Sequence, residues 1–188
     1  VSGGTKVSLI GSGFANSTDA QCKVGLTPVK VLEVVSTSEV VCISPAISPG
    51  NTTVSLSFNR IDYEMSATLF AFDDIVLIKD VVPSFGPTAG STLVTVEGKD
   101  FTDSAALKCQ FGSKSVPATF VTTEKLLCRA PQHGTGKTTI KVTTNDQDFG
   151  YNEFTFSYFD ALSVTDVWPL SGPTQGGTVL TITGSGFQ

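Results

Sequence analysis

Apolar and polar residues alternate along many short stretches of this chain. In the clearest stretch, Val94 and Val96 alternate with Thr95 and Glu97, a period of two that predicts a β-strand with one buried face. Two other stretches keep the same parity, through the pairs Val7 with Leu9 and Leu180 with Ile182. Further runs rich in β-branched and aromatic residues predict strands at residues 75–81, 107–111, 119–121, 125–129, 138–143 and 154–159. No stretch has a convincing helical period, so the chain is predicted to be all-β.

The chain also repeats itself at a step of about 86 residues, which predicts tandem copies of one structural unit. The motifs that return are Gly3-Gly4-Thr5 as Gly90-Ser91-Thr92 and Gly176-Gly177-Thr178, Gly11-Ser12-Gly13-Phe14 as Gly98-Lys99-Asp100-Phe101 and Gly184-Ser185-Gly186-Phe187, and Asp80-Val81-Val82-Pro83 as Asp166-Val167-Trp168-Pro169. We expect the chain to start inside one repeat and to stop inside a third. About seven short strands in each repeat is the count of an immunoglobulin-like sandwich.

The repeated motif resembles the IPT/TIG domain. Its elements are Pro-x-x-Gly-Pro-Thr-x-Gly-Gly/Ser-Thr, an alternating strand, Gly-x-x-Phe, a cysteine followed by a glycine, and a later Cys-x-x-Pro before a Thr-Thr-Val/Ile strand. The resemblance covers nearly the whole chain and implies a small immunoglobulin-like β-sandwich. Such domains occur in tandem in plexins, hepatocyte growth factor receptor-like ectodomains and fibrocystin-like proteins, and singly in some transcription factors and starch-acting enzymes. One departure is Val24-Gly25-Leu26, where the second repeat has the more family-like Gln110-Phe111-Gly112.

The repeat and the resemblance together predict tandem immunoglobulin-like β-sandwiches arranged end to end. The expected domains are residues 1–73, which lack their first strand, residues 74–160, and the opening strands of a third domain at residues 161–188. The first copy lacks the counterpart of residues 75–87, so we expect one open sheet edge there.

Two arrangements would cover the exposed parts of the incomplete copies. The apolar positions of the third copy that need a partner are Val164, Val167, Leu180 and Ile182. In one arrangement the natural polypeptide continues in both directions. In the other the tail of one protomer completes the head of the next, because an open edge and a spare strand are complementary.

Composition excludes several classes of function. Hydrophobic residues make up 40% of the chain and charged residues 15%, which indicates a folded chain. The net charge is -5 and the 12 lysines and arginines are scattered, so nucleic acid is not an expected partner. No apolar run approaches the roughly 20 residues of a membrane-spanning helix. The sequence does not open with a secretory leader, so we expect such a signal to be absent or already removed.

Residues 134–139, with the sequence Gly-Thr-Gly-Lys-Thr-Thr, look like part of a phosphate-binding loop. A Walker-type loop needs a glycine where this chain has Pro131, and it needs a helix after the loop. The residues after Lys137 alternate as a strand instead, and the first repeat has Asn51 at the place of Lys137. We therefore predict an inter-strand turn and no nucleotide site.

The four cysteines fall into two similarly spaced pairs. The repeat favours disulfides between Cys22 and Cys42 and between Cys109 and Cys128, because a domain that folds alone is closed within itself. Reduced core thiols are the alternative. Zinc is a poor fit, since the chain has no Cys-x-x-Cys motif and only one histidine, His133.

Two N-glycosylation sequons begin at Asn16 and Asn51, and both are predicted on loops or turns. Asp103 and Lys137 stand at the aligned places of the second repeat, so the fold itself does not demand asparagine there. Together with the cysteines, the sequons predict an extracellular or cell-surface glycoprotein that carries N-linked glycans.

Nothing in the sequence predicts an enzyme, a cofactor site or a metal site. A Ser-His-Asp triad would depend on His133, which we expect to be a solvated turn residue, and no Gly-x-Ser-x-Gly elbow is present. Four acidic residues are expected to be solvated junction or turn carboxylates rather than calcium ligands, namely Asp73, Asp74, Asp146 and Asp148.

The leading hypothesis is a secreted or surface structural repeat, part of a fibre, appendage or stalk. Its partners would be neighbouring IPT/TIG domains or identical protomers. The alternative is a ligand- or glycan-binding ectodomain module of a plexin-like receptor or adhesin, for which the family resemblance is the only support. A third hypothesis is an accessory module beside a carbohydrate-acting enzyme.

Overall fold

The computed structural model of the protein describes residues 3–187. This described part of the chain contains eighteen strands and no helix, which confirms the all-β prediction. It forms two compact units, the first ending at Ile75 and the second beginning at Val76. The finer division at 73/74 and 160/161 remains a prediction.

The first unit contains the strands of the first repeat. They are β1 (Lys6–Ile10), β2 (Gln21–Val24), β3 (Thr27–Ser36), β4 (Glu39–Ile43), β5 (Gly50–Thr52), β6 (Val54–Ser57), β7 (Glu64–Met65) and β8 (Phe70–Phe72). Six of them are hydrogen-bonded in the order β1-β4-β3-β2-β6-β7, and β5 pairs with β8. Strand β1 therefore lies at a sheet edge, as predicted for a copy without its first strand.

The second unit contains a complete repeat and a further strand pair. Its strands are β9 (Leu77–Val82), β10 (Phe85–Pro87), β11 (Leu93–Lys99), β12 (Lys108–Phe111), β13 (Lys114–Thr122), β14 (Lys125–Arg129), β15 (Gly136–Thr143), β16 (Phe154–Phe159), β17 (Ser163–Trp168) and β18 (Thr181–Ser185). The first eight are joined in the order β10-β16-β15-β12-β13-β14-β11-β9, and β17 pairs with β18. The sequence did not predict β10 or the first half of β13, because pairing with neighbouring strands overrides their weak local propensity.

A strand that changes layers builds each sandwich. In β13, Lys114 to Pro117 pair with β12, whereas Ala118 to Thr122 pair with β14. Strand β3 connects β2 and β4 of the first unit in the same way. Such a strand turns the corner between two packed sheets. The predicted immunoglobulin-like β-sandwich is thus confirmed.

The core of the second unit draws residues from both layers into one cluster. Val94 and Val96 are fully buried, which confirms the predicted inner face of β11. At the centre, the rings of Phe111 and Phe156 meet edge to face with their centroids 5.3 Å apart. The ring of Tyr158 lies 4.9 Å from that of Phe156. These side chains hold the two layers together by burying aromatic surface.

The core of the first unit is less completely covered. Its buried residues form two separate clusters rather than one. Val7 and Leu9 on β1 point inward as predicted, but they are only half-buried, whereas their counterparts Val94 and Val96 are fully buried. The difference follows from the strand that flanks β11 and has no counterpart beside β1 in the described residues.

The turns between β2 and β3 and between β12 and β13 are equivalent. Val24 faces Thr27 across the first turn as Phe111 faces Lys114 across the second. Gly25 and Gly112 (φ 59° and 60°) both adopt the left-handed conformation that glycine tolerates without strain. Val24 is thus the counterpart of Phe111. The departure expected from the sequence was aligned one residue out of register, and in the structure it is limited to valine at the place of phenylalanine.

The pair β17 and β18 reproduces the pairing of β9 with β11. Val164 faces Gly184 and Val167 faces Ile182. The corresponding pairs in the complete repeat are Ile78 with Gly98 and Val81 with Val96. The register shifts at the equivalent place in both pairs. The pairing of a third sandwich is therefore already formed here, although Val164 and Ile182 are still exposed.

Candidate functional site

Each unit has one disulfide bond that crosses from one layer to the other. Cys22 on β2 is bonded to Cys42 on β4, with the Cα atoms 6.5 Å apart. Cys109 on β12 is bonded to Cys128 on β14, with the Cα atoms 6.3 Å apart. All four side chains are buried. Because the bonded strands lie on either side of the corner strand, each bond closes its own sandwich.

The two sequon asparagines lie in different surroundings. Asn16 is exposed in the loop between β1 and β2, as predicted. Asn51 is also exposed, but it lies within β5 and faces Ala71 on β8, so the prediction of a loop or turn is wrong there. The short segment becomes a strand because β8, far along the chain, pairs with it. Glycosylation of both residues remains a prediction.

The loop-like string at residues 134–139 continues into strand β15. Lys137 faces Ser157 on β16, and the following residues continue the same ladder. The predicted strand after Lys137 is therefore confirmed, but it already begins at Gly136, so the predicted turn is wrong for residues 136–139, which pair with β16. In addition, the Thr135 hydroxyl donates a hydrogen bond to Asp160 Oδ1 at 2.6 Å. The backbone of β15 is engaged in sheet pairing rather than in the helix start that a phosphate loop requires.

His133 is not the solvated turn residue that the sequence predicts. Its ring is half-buried and stacks on the ring of Tyr158, with the centroids 4.7 Å apart and an interplanar angle of 17°. The Tyr158 hydroxyl is buried and has no hydrogen-bond partner among the described residues. Burial raises the pKa of Tyr158 to about 12. Sequence analysis missed this contact because the two residues lie on separate segments.

We expect Tyr158→Phe to raise the free energy of unfolding of the second unit by about 1 kcal/mol. The change removes a buried hydroxyl whose desolvation is not offset by a hydrogen bond. The first repeat has a phenylalanine, Phe72, at the same place, and it is also buried. Urea unfolding of the two proteins at neutral pH measures the difference. A loss of stability on substitution would contradict it.

The same substitution should change how the free energy of unfolding depends on pH above pH 10. Because the pKa of Tyr158 is about 12 in the folded chain and 10.0 in its ordinary state, the unfolded chain loses this proton first as the pH rises. Ionisation of this group therefore leaves the free energy of unfolding unchanged below pH 10 and lowers it between pH 10 and 12, by about 1.4 kcal/mol for each pH unit. Tyr158→Phe should lose less stability over this interval. Parallel pH profiles of the two proteins would contradict the argument.

The acidic residues do not form a cation site in the described residues. Asp146 is paired with the Lys108 ammonium rather than simply solvated. Asp148 accepts a hydrogen bond from Asn145 Nδ2 at 2.8 Å. Between residues 3 and 187 no group of three or more histidine, cysteine, aspartate or glutamate side chains converges. The same residues include no helix long and apolar enough to cross a bilayer.

The two repeats differ in the described neighbours of their equivalent strands β1 and β11. In the second unit, β11 is flanked by β14 on one side and by β9 on the other. In the first unit, β1 pairs with β4 on the equivalent side, and no described strand lies on the other side. An unpaired strand edge leaves backbone donors and acceptors available to another strand.

A groove of roughly 780 Å³ lies beside this edge. One wall is formed by β1 and the residues that follow it, up to Phe14, and the other by β6 and β7. Its apolar lining residues include Leu9, Phe14, Leu56, Phe58 and Met65. Its lining is mixed, since it also includes Ser8, Ser57, Asp62 and Glu64. Sequence analysis predicted the edge from the missing strand, but it did not predict the groove.

The glycine at the end of β1 marks where a neighbouring strand can approach. A Cβ atom on Gly98 would collide with the carbonyl oxygen of Leu77 on β9, and one on Gly184 would collide with the carbonyl oxygen of Ser163 on β17. The counterpart in the first repeat is Gly11, where a Cβ would meet only the tip of the Phe14 ring, at 2.6 Å. The ring of the phenylalanine three residues later lies against the glycine in all three copies, so Phe14, Phe101 and Phe187 each leave no room for a Cβ atom there.

The chain matches the model of the IPT/TIG domain family. The family model matches three segments of this chain, residues 1–72, 77–158 and 162–188. These segments follow the repeats described above. Together they account for nearly the whole sequence.

Curated relatives are large proteins that contain segments similar to this chain. Fibrocystin-L of Mus musculus is 26% identical over 188 residues, which are 100% of this chain and 4% of that protein. Plexin-A4 of Homo sapiens is 30% identical over 121 residues, 59% of this chain and 6% of that protein. The chain thus spans only a small fraction of the length of these relatives.

A solved structure of the full extracellular region of plexin A4 is also similar. It aligns with a TM-score of 0.60 and 19% sequence identity, over 97% of this chain and 16% of that one. At this level of identity the similarity concerns the fold.

Proposed function

Since the chain belongs to the IPT/TIG domain family, we propose that it is a non-enzymatic structural module of an extracellular glycoprotein. In this proposal the module is part of a tandem array in a fibre, appendage or stalk. The observation that carries the proposal is that the first two repeats each close their own sandwich with their own interlayer disulfide. Self-contained repeats of this kind extend a protein without the need for new chemistry.

The disulfides also support an extracellular location. Buried disulfides persist in oxidising compartments and are rare in the cytosol. The chain is similar to part of plexin-A4, whose extracellular region has been solved. We therefore place the protein outside the cell or at its surface, and we propose that it is secreted.

The array would consist of domains at residues 1–73, 74–160 and 161–188, the last continued by further strands. Neighbouring IPT/TIG domains would be its principal partners, and identical protomers could extend it. Strand β8 ends at Phe72 and β9 begins at Leu77. So short a connection suits an array better than it suits independent domains on flexible linkers.

Antibodies raised against this chain test the location and the role together. In cells that make the natural protein, we expect immunoelectron microscopy to label extracellular fibres, appendages or stalks without prior permeabilisation. Label confined to the cytosol or nucleus would overturn the proposal. Diffuse label over the cell surface, with no fibre beneath it, would instead favour the receptor or adhesin alternative.

We predict that the natural protein carries N-linked glycans at Asn16 and Asn51, whose side chains are both exposed. Mass spectrometry of peptides that span each site, before and after enzymatic deglycosylation, detects the sugar. In a eukaryotic secretory host, Asn16→Gln and Asn51→Gln should each remove one glycan from the secreted chain. Unmodified peptides at both sites of the natural protein would contradict the prediction.

The alternative function is a binding module of a plexin-like receptor or adhesin. The observation that favours it is the similarity to plexin-A4 over 59% of this chain. A binding module would need a surface that recognises a protein or a glycan. Screening the folded chain against glycan arrays would test this alternative, since a structural repeat should bind none of the glycans saturably.

A further inference from the structure

We propose that the second repeat, strands β9 to β16, resists tension along its length. Its first strands are joined directly to its last segment, and its disulfide bond limits extension when those connections break. The inference rests on the proposed structural function, because a module within a fibre, appendage or stalk is pulled by its two ends. Its test is separate, since the protein could be an extracellular structural module even if this repeat unfolded easily under tension.

The first connection is the pair of strands β10 and β16, which are the second and the last strands of the repeat. The two strands run parallel. At one end of the pair, the Ser157 amide donates a hydrogen bond to the Ser84 carbonyl oxygen at 2.9 Å. At the other end, the Thr88 amide donates one to the Phe159 carbonyl oxygen at 2.8 Å. The pair thus links the start of the repeat to its end without an intermediate strand.

The parallel direction determines how tension acts on this pair. In a parallel pair, the end where the chain enters one strand and the end where it leaves the other lie at opposite ends of the pair. The chain enters β10 from Ser84 and leaves β16 through Phe159, so tension pulls the two strands lengthwise past each other. All the hydrogen bonds of the pair resist this motion together. An antiparallel hairpin pulled at its open end instead loses its hydrogen bonds one at a time.

A buried glycine lets β10 pack directly on the core beside β16. A Cβ atom on Gly86 would collide with the Thr92 hydroxyl and would lie 3.2 Å from Cζ of the Phe156 ring. Gly86 itself is buried. Alanine at this position would therefore push β10 outward and weaken its pairing with β16.

The second connection joins β9 to the segment that precedes β16. The Asn152 side-chain oxygen accepts a hydrogen bond from the Ile78 amide at 3.0 Å, and its nitrogen donates one to the Ile78 carbonyl oxygen. Ile78 is buried, so water cannot readily replace these bonds. Close by, a Cβ atom on Gly150 would collide with the Val76 carbonyl oxygen, at 2.6 Å. The entering and leaving segments are therefore in direct backbone contact here as well.

The disulfide bond limits how far the repeat extends if both connections break. Cys109 and Cys128 are bonded across a sequence separation of 19 residues. Tension passes through the bond instead of through the residues between the two cysteines. At about 3.6 Å for each extended residue, the bond withholds roughly 60 Å of chain.

Single-molecule pulling on the full chain, held at its two ends, tests the proposal. Alanine at both Cys109 and Cys128 should lengthen the unfolding step of the second unit by roughly 60 Å, which identifies that step. Under constant tension, Asn152→Ala should raise the rate of this step at least about fivefold, because two hydrogen bonds to a buried residue are lost. Gly86→Ala should also raise the rate. Urea unfolding first establishes that each variant is folded.

Val116→Ala is the matched control, because Val116 packs against the same core but lies between the two bonded cysteines. It should lower the urea midpoint of the second unit and leave the rate under tension nearly unchanged. An equal rise in rate with Val116→Ala, or no rise with either Asn152→Ala or Gly86→Ala, would overturn the proposal. A step of unchanged length in the double-alanine variant would overturn the role of the disulfide. None of these outcomes affects the labelling of extracellular fibres, so the two proposals can fail separately.

Discussion

Replacing Phe111 by alanine should lower the free energy of unfolding of the second unit by about 3–5 kcal/mol. The Phe111 side chain is fully buried at the end of β12. It packs edge to face on Phe156, with the ring centroids 5.3 Å apart. Truncation would remove its apolar contacts and would leave a cavity that the two disulfide-linked layers could not easily close, so the transfer and cavity terms add.

Urea unfolding measures this loss, with hydrogen exchange used to assign each transition to its unit. Phe85→Ala is the matched control, because the Phe85 side chain is 59% exposed and its removal should cost much less. Equal losses for the two variants would show that Phe111 is not the centre of the core. The urea transition of the first unit should not change in either variant.

Removing the disulfide between Cys109 and Cys128 should cost the second unit about 3 kcal/mol. The bond closes a loop with a sequence separation of 19 residues, and a loop of this length restricts the unfolded chain by that amount in the chain-entropy model. Alanine at both positions removes the bond without leaving a free thiol. Both sulfur atoms are buried, so a small packing loss adds to the entropic one.

Calorimetry of the double-alanine variant, with and without a reducing agent, measures the effect. The transition of the second unit should occur at a lower temperature and should no longer respond to the reductant. The transition of the first unit should still respond, because Cys22 and Cys42 remain bonded. Peptide mapping of the natural protein without reduction should recover both linkages. Four free thiols would contradict the oxidised state and also the proposed extracellular location.

Much of the candidate site could be predicted from the sequence, because its parts recur with the repeat. The cysteine pairs follow from their similar sequence separations, 20 and 19 residues, in two copies. The inner faces of β1 and β11 follow from the same alternation in both copies. The groove beside β1 could not be predicted. It depends on where Met65 and Phe58 lie relative to Phe14, and these residues are brought together by strand pairing between distant segments.

Two residues could not be placed correctly from the sequence, because their neighbours along the chain are compatible with more than one environment. The residues around His133 have the composition of a solvated turn, yet the His133 ring stacks on that of Tyr158. Asn51 follows a proline and a glycine, yet it lies in a strand because β8 pairs with it. In each case the deciding partner is on another strand, and local propensity says nothing about such a partner.

The sequence by itself determined the all-β class, many of the strands and their inner faces, the family, and the pairing of cysteines within the first two repeats. These features follow from alternation and recurrence along the chain, which are local or periodic properties. Only the tertiary structure decided that β13 joins the two layers, that the Tyr158 hydroxyl is buried without a hydrogen bond among the described residues, and that a groove lies beside β1. Each of these features depends on which distant segments pack together. That arrangement is determined by the packing of the whole core rather than by any single segment.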